Sequence, residues 1–156
     1  MHLLSTPAEG LHFTTQLLKQ HIKCEAIGAY LYDINAHKFR LVSAEGEQSE
    51  QHTGEAVSSN GGLLHAASEL IEEAFNVPDA KSDPRFDPAI DGHLLADPKN
   101  MLLIALHHEG RLLGILQLCN RIGEEAFNEE DFHIVDYVGN QLADFVHQAR
   151  LRIMAS

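Results

Sequence analysis

Hydrophobic and polar positions change period along this chain, and the changes mark its elements. Residues 101 to 106 and 112 to 119 are nearly continuous apolar runs of strand length, the pattern of central strands covered on both faces. Glu109-Gly110 between them predicts an antiparallel hairpin. Farther on, Asn128 precedes Glu129, Glu130 and Asp131, a capping side chain followed by carboxylates where the helix dipole favours them. A helix should start there. Phe132, Val135, Val138, Leu142, Val146, Ala149 and Ile153 then recur at spacings of three and four, forming one apolar stripe.

The amino terminus predicts a second helix. Thr6-Pro7-Ala8-Glu9 combines a capping hydroxyl, a proline at the first helical position and a glutamate three residues past the cap. Leu11, Leu18 and Ile22, with Phe13 and Leu17 beside them, supply its apolar side, and it should end near Lys23. Residues 26 to 33 and 38 to 44 read as two strands around the turn Ile34-Asn35-Ala36-His37. Residues 46 to 62 are polar and aperiodic, which predicts a mobile excursion beside the sheet. Residues 63 to 70 are a short helix candidate. Residues 71 to 77 read as a short edge strand, although Glu72-Glu73-Ala74 suits a helix equally well. Pro78, Pro84 and Pro88 remove backbone donors and push their predecessors toward extended geometry, so residues 77 to 90 should be a loop with at most one helical turn.

With 156 residues and 44% hydrophobic content, residues 1 to 156 are expected to form one domain with a core of its own. No apolar run approaches the roughly 20 residues that cross a bilayer, and no signal-peptide pattern opens the chain, so a soluble cytoplasmic protein with no membrane partner is expected. Eleven basic against 23 acidic side chains give a formal charge of -12, which repels a phosphate backbone and argues against a nucleic-acid partner. Cys24 and Cys119 are the only cysteines, and a cytoplasmic setting disfavours a disulfide between them.

The order of helix, two strands, variable excursion, Pro- and Asp-rich loop, apolar hairpin and long closing helix resembles a GAF domain over essentially the whole chain. The likeness is strongest from residue 76 to 131, through Asn76-Val77-Pro78-Asp79-Ala80, Asp83-Pro84-Arg85-Phe86, the strand Leu113-Gly114-Ile115-Leu116-Gln117-Leu118 and the following Asn120-Arg121. It implies an α+β fold: an antiparallel sheet of five or six strands with the terminal helices on one face and a loop-covered ligand pocket on the other. The family's polar contact in its last strand matches Gln117, which by strand alternation turns Leu113, Ile115 and Cys119 to the pocket and Leu112, Gly114, Leu116 and Leu118 to the helices. On the first strand, Gly28, Tyr30 and Tyr32 match the pocket side, and Ile27, Ala29 and Leu31 the helical side. The expected ligand-binding residues are Gly28, Tyr30, Phe86, Asp87, Asp91 and Gln117.

The signature of cyclic-nucleotide GAF domains is matched by Asn120, Arg121, Phe127 and Asp131, with arginine for lysine at 121 and phenylalanine for the final glutamate at 132. Arg121 and Asp131 are expected to pair and brace the strand end against the helix start, a structural role. A cyclic nucleotide is the cofactor that the resemblance brings to mind, but the polar position ahead of the hairpin is Pro98, and Asp87 and Asp91 put negative charge where a cyclic phosphate needs donors. The ligand is left unknown. Bilin attachment lacks a cysteine between residues 77 and 100.

Candidate chemistry is sparse. Adjacent His107 and His108 point to opposite sides of a strand, and the eleven histidines show no clustered ligand spacing, so no metal site is expected. One GAF branch reduces free methionine sulfoxide with paired cysteines, but its multi-cysteine loop is absent, and no catalytic residue is assigned. Three functions remain: a regulatory small-molecule sensor, which this reading favours; a ligand-free dimerisation or protein-docking module, possessing a signalling partner; and a redox enzyme using Cys119. The apolar pattern of Leu142, Phe145, Val146, Ala149 and Ile153 runs to the chain end, so a homodimer through the terminal helices is expected.

Overall fold

A computed structural model of the chain describes residues 6 to 46, 49 to 71, 73 to 92 and 94 to 155. Helix α1 (Pro7–His21) begins as its sequence dictates: Thr6 is the N-cap, its hydroxyl accepts from the Glu9 amide at 3.1 Å, and Pro7 occupies the first turn. Strands β1 (Cys24–Asp33) and β2 (Lys38–Glu45) follow. Asp33 shapes the turn between them, its carboxylate accepting from the amides of Asn35 and Ala36. The segment expected to be a mobile excursion is more ordered than its polarity predicts. It holds a short 3-10 turn (Glu50–His52) and strand β3 (Ala56–Ser58), which pairs with the outer edge of β2. An edge strand of three residues, half of it facing water, carries too little hydrophobic alternation to stand out.

Helix α2 (Gly62–Ser68) and edge strand β4 (Phe75–Val77) come next, then the single helical turn α3 (Pro88–Asp91) in the proline-rich loop. Strands β5 (Met101–His108) and β6 (Arg111–Arg121) form the hairpin. Its two turn residues both lie at positive φ, 52° for Glu109 and 79° for Gly110, the geometry that matches strand twist in a two-residue turn. The chain closes with α4 (Glu129–Ala155). Asn128 and Asp131 cap it reciprocally: the Asn128 side chain accepts from the Asp131 amide, and the Asp131 carboxylate accepts from the Asn128 amide, both at 2.9 Å.

The six strands make one antiparallel sheet in the order β3-β2-β1-β6-β5-β4. This is the α+β arrangement expected. Helices α1 and α4 cover one face, where Leu11, Leu18, Val135, Leu142 and Val146 meet Ile27, Ala29, Leu102, Ile104, Leu116 and Leu118. Gly10 lets the two helices touch, because a Cβ there would lie 2.1 Å from the Phe145 ring. The other face is covered by α2, α3 and the loop that follows, through Leu63, Leu64, Ile90, Leu94 and Leu95.

Strand alternation assigns β1 correctly, with Tyr30 and Tyr32 on the loop side and Ile27, Ala29 and Leu31 on the helix side. At the start of β6 it fails. Leu113 packs with the helices and Leu112 with the loop-side cluster, the reverse of the expectation. The cause is a β-bulge: Leu106 pairs with Gly114 and His107 with Leu112, leaving Leu113 as an extra residue that flips the phase. Beyond it Gly114 lies so close to β1 that a Cβ would meet the Tyr30 carbonyl oxygen at 2.1 Å.

Candidate functional site

The loop-side face of the sheet gathers most of the residues picked out from sequence. Gly28 and Gln117 are direct partners across β1 and β6. Tyr30, on the same face, donates its hydroxyl to the Gln117 side-chain oxygen at 2.8 Å, and the Gln117 amide points at the Met101 sulfur at 3.3 Å. Both residues are buried, at 1% and 2% exposure. Burial holds the Tyr30 phenol well above its ordinary value, so it is a neutral donor.

Around Gly28 the described side chains pack closely. Gly28 leaves a dimple in the sheet, and Leu95 fills it: a Cβ on residue 28 would lie 2.8 Å from a Leu95 methyl and 3.1 Å from one of Leu41. Leu41, Met101, Leu103 and Ile115 around it are fully buried, so no water-sized opening reaches them. Phe86, expected as the apolar wall, is half-buried at the edge of this cluster, and Leu95 covers Gly28 in its stead. The signal for Leu95 was available as an apolar pair, Leu94-Leu95, within an otherwise polar loop.

Asp87 and Asp91 are committed to closing that loop. Asp87 caps α3, accepting from the Ala89 amide at 2.9 Å. Asp91 accepts from the Asp87 amide at 2.9 Å and from the Leu63 amide, in the first turn of α2, at 2.8 Å. Its second oxygen, Oδ1, is buried without a hydrogen-bond partner among the described residues. Desolvation raises the Asp91 carboxyl above its ordinary range, partly offset by the amides it accepts from. A carboxylate on the first turn of α2 takes the donor that an anionic phosphate would use, which weighs against a cyclic nucleotide in this conformation.

The signature residues form a second cluster at the far end of β6. Arg121 grips Asp131 with two nitrogens, Nε at 2.8 Å and Nη2 at 3.3 Å, and also reaches Glu124 at 3.2 Å. Asn120, at φ 63°, accepts from the Lys99 amide and donates to the Asp97 carbonyl and the Glu25 carboxylate. Asn100 returns the tie, accepting from the Arg121 amide at 2.9 Å. Phe127 is buried against the helix-side core. Every one of these contacts is between parts of the chain itself, and together they fasten the loop before β5 and the start of α4 to the end of β6.

The two cysteines are separated by the sheet. Cys24 belongs to the helix-side cluster and Cys119 to the loop-side one, and both are reduced. Burial pushes the Cys24 thiol up to about 11 and Cys119 higher still. Neither is poised as a thiolate, and they do not face one another.

The helix side carries a different feature. Val146 and Ala149, expected in a dimer contact, are fully buried within the chain, and Leu142 is nearly so. Ile153 at the end of that stripe is exposed (51%), and Phe13 (52%), Leu17 (36%) and Tyr137 (68%), with Val138 and Phe145, border an open groove of about 240 Å³ between α1 and α4.

A six-stranded antiparallel sheet sandwiched between terminal helices and a loop-and-helix cover defines the class: an α+β sandwich fold. Residues 7–144 match the family model of the GAF domain, and the chain belongs to the GAF domain family. The fold is shared with the GAF domain of a phosphoenolpyruvate-protein phosphotransferase from Coxiella burnetii, at 23% identity over 96% of this chain and 87% of that one, with a TM-score of 0.80. It is also shared with the free methionine-R-sulfoxide reductase of Neisseria meningitidis, solved with its substrate, at 17% identity over 96% and 83% and a TM-score of 0.74. In sequence, 65 residues are 32% identical to the dual 3',5'-cyclic-AMP and -GMP phosphodiesterase 11 of Drosophila melanogaster, a stretch covering 41% of this chain and 4% of that protein. GAF domains are regulatory domains of signalling proteins, and among the described residues no helix is long and apolar enough to cross a membrane.

Proposed function

We propose that residues 1 to 156 form one cytoplasmic regulatory module that works in signal transduction by pairing two copies through α1 and α4. One observation carries this reading: Phe13, Leu17 and Tyr137 leave exposed apolar surface along the groove between α1 and α4, while the sheet surface around Gly28 is covered by Leu95 and Leu41. Covering large side chains that are half-exposed or more gains on the order of 1 kcal/mol each, so a symmetric contact reaches micromolar rather than nanomolar affinity after the cost of association.

Sedimentation velocity tests this. Each copy carries a formal charge of -12, so salt that screens the mutual repulsion should strengthen the pair. Tyr137→Glu and Phe13→Glu should give monomers with unchanged helix content. A wild-type protein that stays monomeric across the salt series refutes the reading.

A second reading, small-molecule sensing, is favoured by the Tyr30–Gln117 hydrogen bond on an otherwise apolar face and by the unpartnered oxygen of Asp91. A small polar ligand there has to displace Leu95 from the Gly28 dimple. Leu95→Ala vacates that space without touching the polar pair, so it should increase uptake of small polar molecules from a library; unchanged binding counts against this reading. A cysteine-based reductase is disfavoured by the placement of Cys24 and Cys119 on opposite faces.

A further inference from the structure

Three cations of this acidic chain are matched to carboxylates: Lys81 to Asp97 and Arg85 to Asp83, each at 2.7 Å, and Arg121 to Asp131 at 2.8 Å. Arg111 and Arg150 are set apart by sharing a groove. Among the described residues neither forms an ion pair, and both line one groove of about 220 Å³ with Tyr32, Ile34 and Leu112. Arg111 opens β6 and Arg150 lies near the end of α4, so the groove sits where two hairpins meet the closing helix. The same junction is held by His108 of β5 stacked on His147 of α4, ring centroids 3.7 Å apart and 15° from parallel. Glu109, the carboxylate of that turn, faces His108 at 3.9 Å and is 86% exposed.

Arg150 is half-buried, and burial followed by the like charge of Arg111 holds its guanidinium below the usual value. Two guanidinium groups lining one groove without an ion pair among the described residues present planar donor forks, and such forks suit carboxylate and phosphate oxygens. Tyr32, Ile34 and Leu112 offer apolar surface directly beside them.

We propose that this groove binds a small organic anion, a carboxylate or phosphate carried on an apolar body. Arg111 and Arg150 hold the anionic group from two sides, and Tyr32, Ile34 and Leu112 take the apolar part. The occupant bridges the first hairpin, the second hairpin and the end of α4. It therefore fixes the helix that carries the exposed Leu151, Ile153 and Met154 onward, independently of what the opposite end of the sheet does.

The test titrates the whole chain with phenyl phosphate, benzoate and inorganic phosphate, reading the arginine Nε–Hε signals by NMR and the thermal unfolding midpoint. Phenyl phosphate or benzoate should move the Arg111 and Arg150 signals, leave Arg40 and Arg85 in place, and raise the midpoint; whichever binds more tightly identifies the anionic group. Inorganic phosphate should bind about tenfold more weakly, lacking the apolar part, and Arg111→Gln should lose about tenfold of the aryl-anion affinity. Arg111 is exposed, so that variant folds even where Arg150→Gln does not. Without added anion, Arg111→Gln should be at least as stable as the wild type, because it removes a like-charge contact. No movement of either signal with any probe overturns the proposal, as does undiminished binding to Arg111→Gln. Equal affinity for inorganic phosphate and phenyl phosphate would mean an adventitious ion only, and also overturns it.

Discussion

Removing Arg121 should cost more stability than removing its partner, and the difference follows from what each leaves behind. Asp131 is 3% exposed. Its carboxylate accepts from Arg121 Nε at 2.8 Å, Arg121 Nη2 at 3.3 Å and the Asn128 amide at 2.9 Å. In Arg121→Ala that buried carboxylate keeps one amide and no counter-charge, the condition that typically costs about 3 kcal/mol or more. In Asp131→Ala the arginine keeps Glu124 at 3.2 Å and the Ile122 carbonyl at 2.7 Å, and its side chain is 13% exposed, so water can reach it. That variant loses the charged bonds and the reciprocal cap, worth about 2 kcal/mol together. Urea denaturation with linear extrapolation measures both. Losses below about 0.5 kcal/mol in both variants, the range of ordinary surface changes, would refute the brace. A larger loss for Asp131→Ala than for Arg121→Ala would refute the asymmetry.

Tyr30→Phe should destabilise by about 1 to 3 kcal/mol, because the buried Gln117 oxygen loses its donor, and Tyr30→Phe with Gln117→Met should recover part of that in a double-mutant cycle. Gly114→Ala should cost about 3 kcal/mol or more, since its Cβ would meet the Tyr30 backbone at 2.1 Å, whereas Gly28→Ala meets only side-chain ends, of Leu95 and Leu41, and should cost less in the same denaturation assay. Asp91 gives a pH signature. Its folded-state carboxyl is raised, so the folded chain binds the proton more tightly, and this group's contribution to stability falls as pH rises from the ordinary aspartate range through the raised value. Asp91→Asn should remove that fall; an unchanged pH slope would show that Asp91 is not its source.

The elements with strong local signals were legible in the sequence: the Thr6-Pro7 start of α1, the Glu109-Gly110 hairpin, and the Asn128 cap of α4 are each specified by a few adjacent side chains. The family likeness was legible too, because its marks are turn and cap residues in a fixed order. What escaped depends on partners distant in sequence. Strand β3 exists because β2 offers it an edge. The bulge at Leu113 is fixed by register against β5. Leu95 fills the Gly28 dimple across a large sequence separation, and alternation alone, reading one strand at a time, sees an empty pocket there. The terminal-helix stripe was read correctly as apolar, but how much of it the sheet and α1 cover is a tertiary question, and they bury Val146 and Ala149 completely.

Native mass spectrometry of the freshly purified chain tests the pairing account most directly. The account predicts a species at twice 17.3 kDa with no added small-molecule mass, converting to monomer when Tyr137 is replaced by Glu. A monomer carrying a bound small molecule, released on denaturation, would contradict it and make the loop-side face of the sheet the working site.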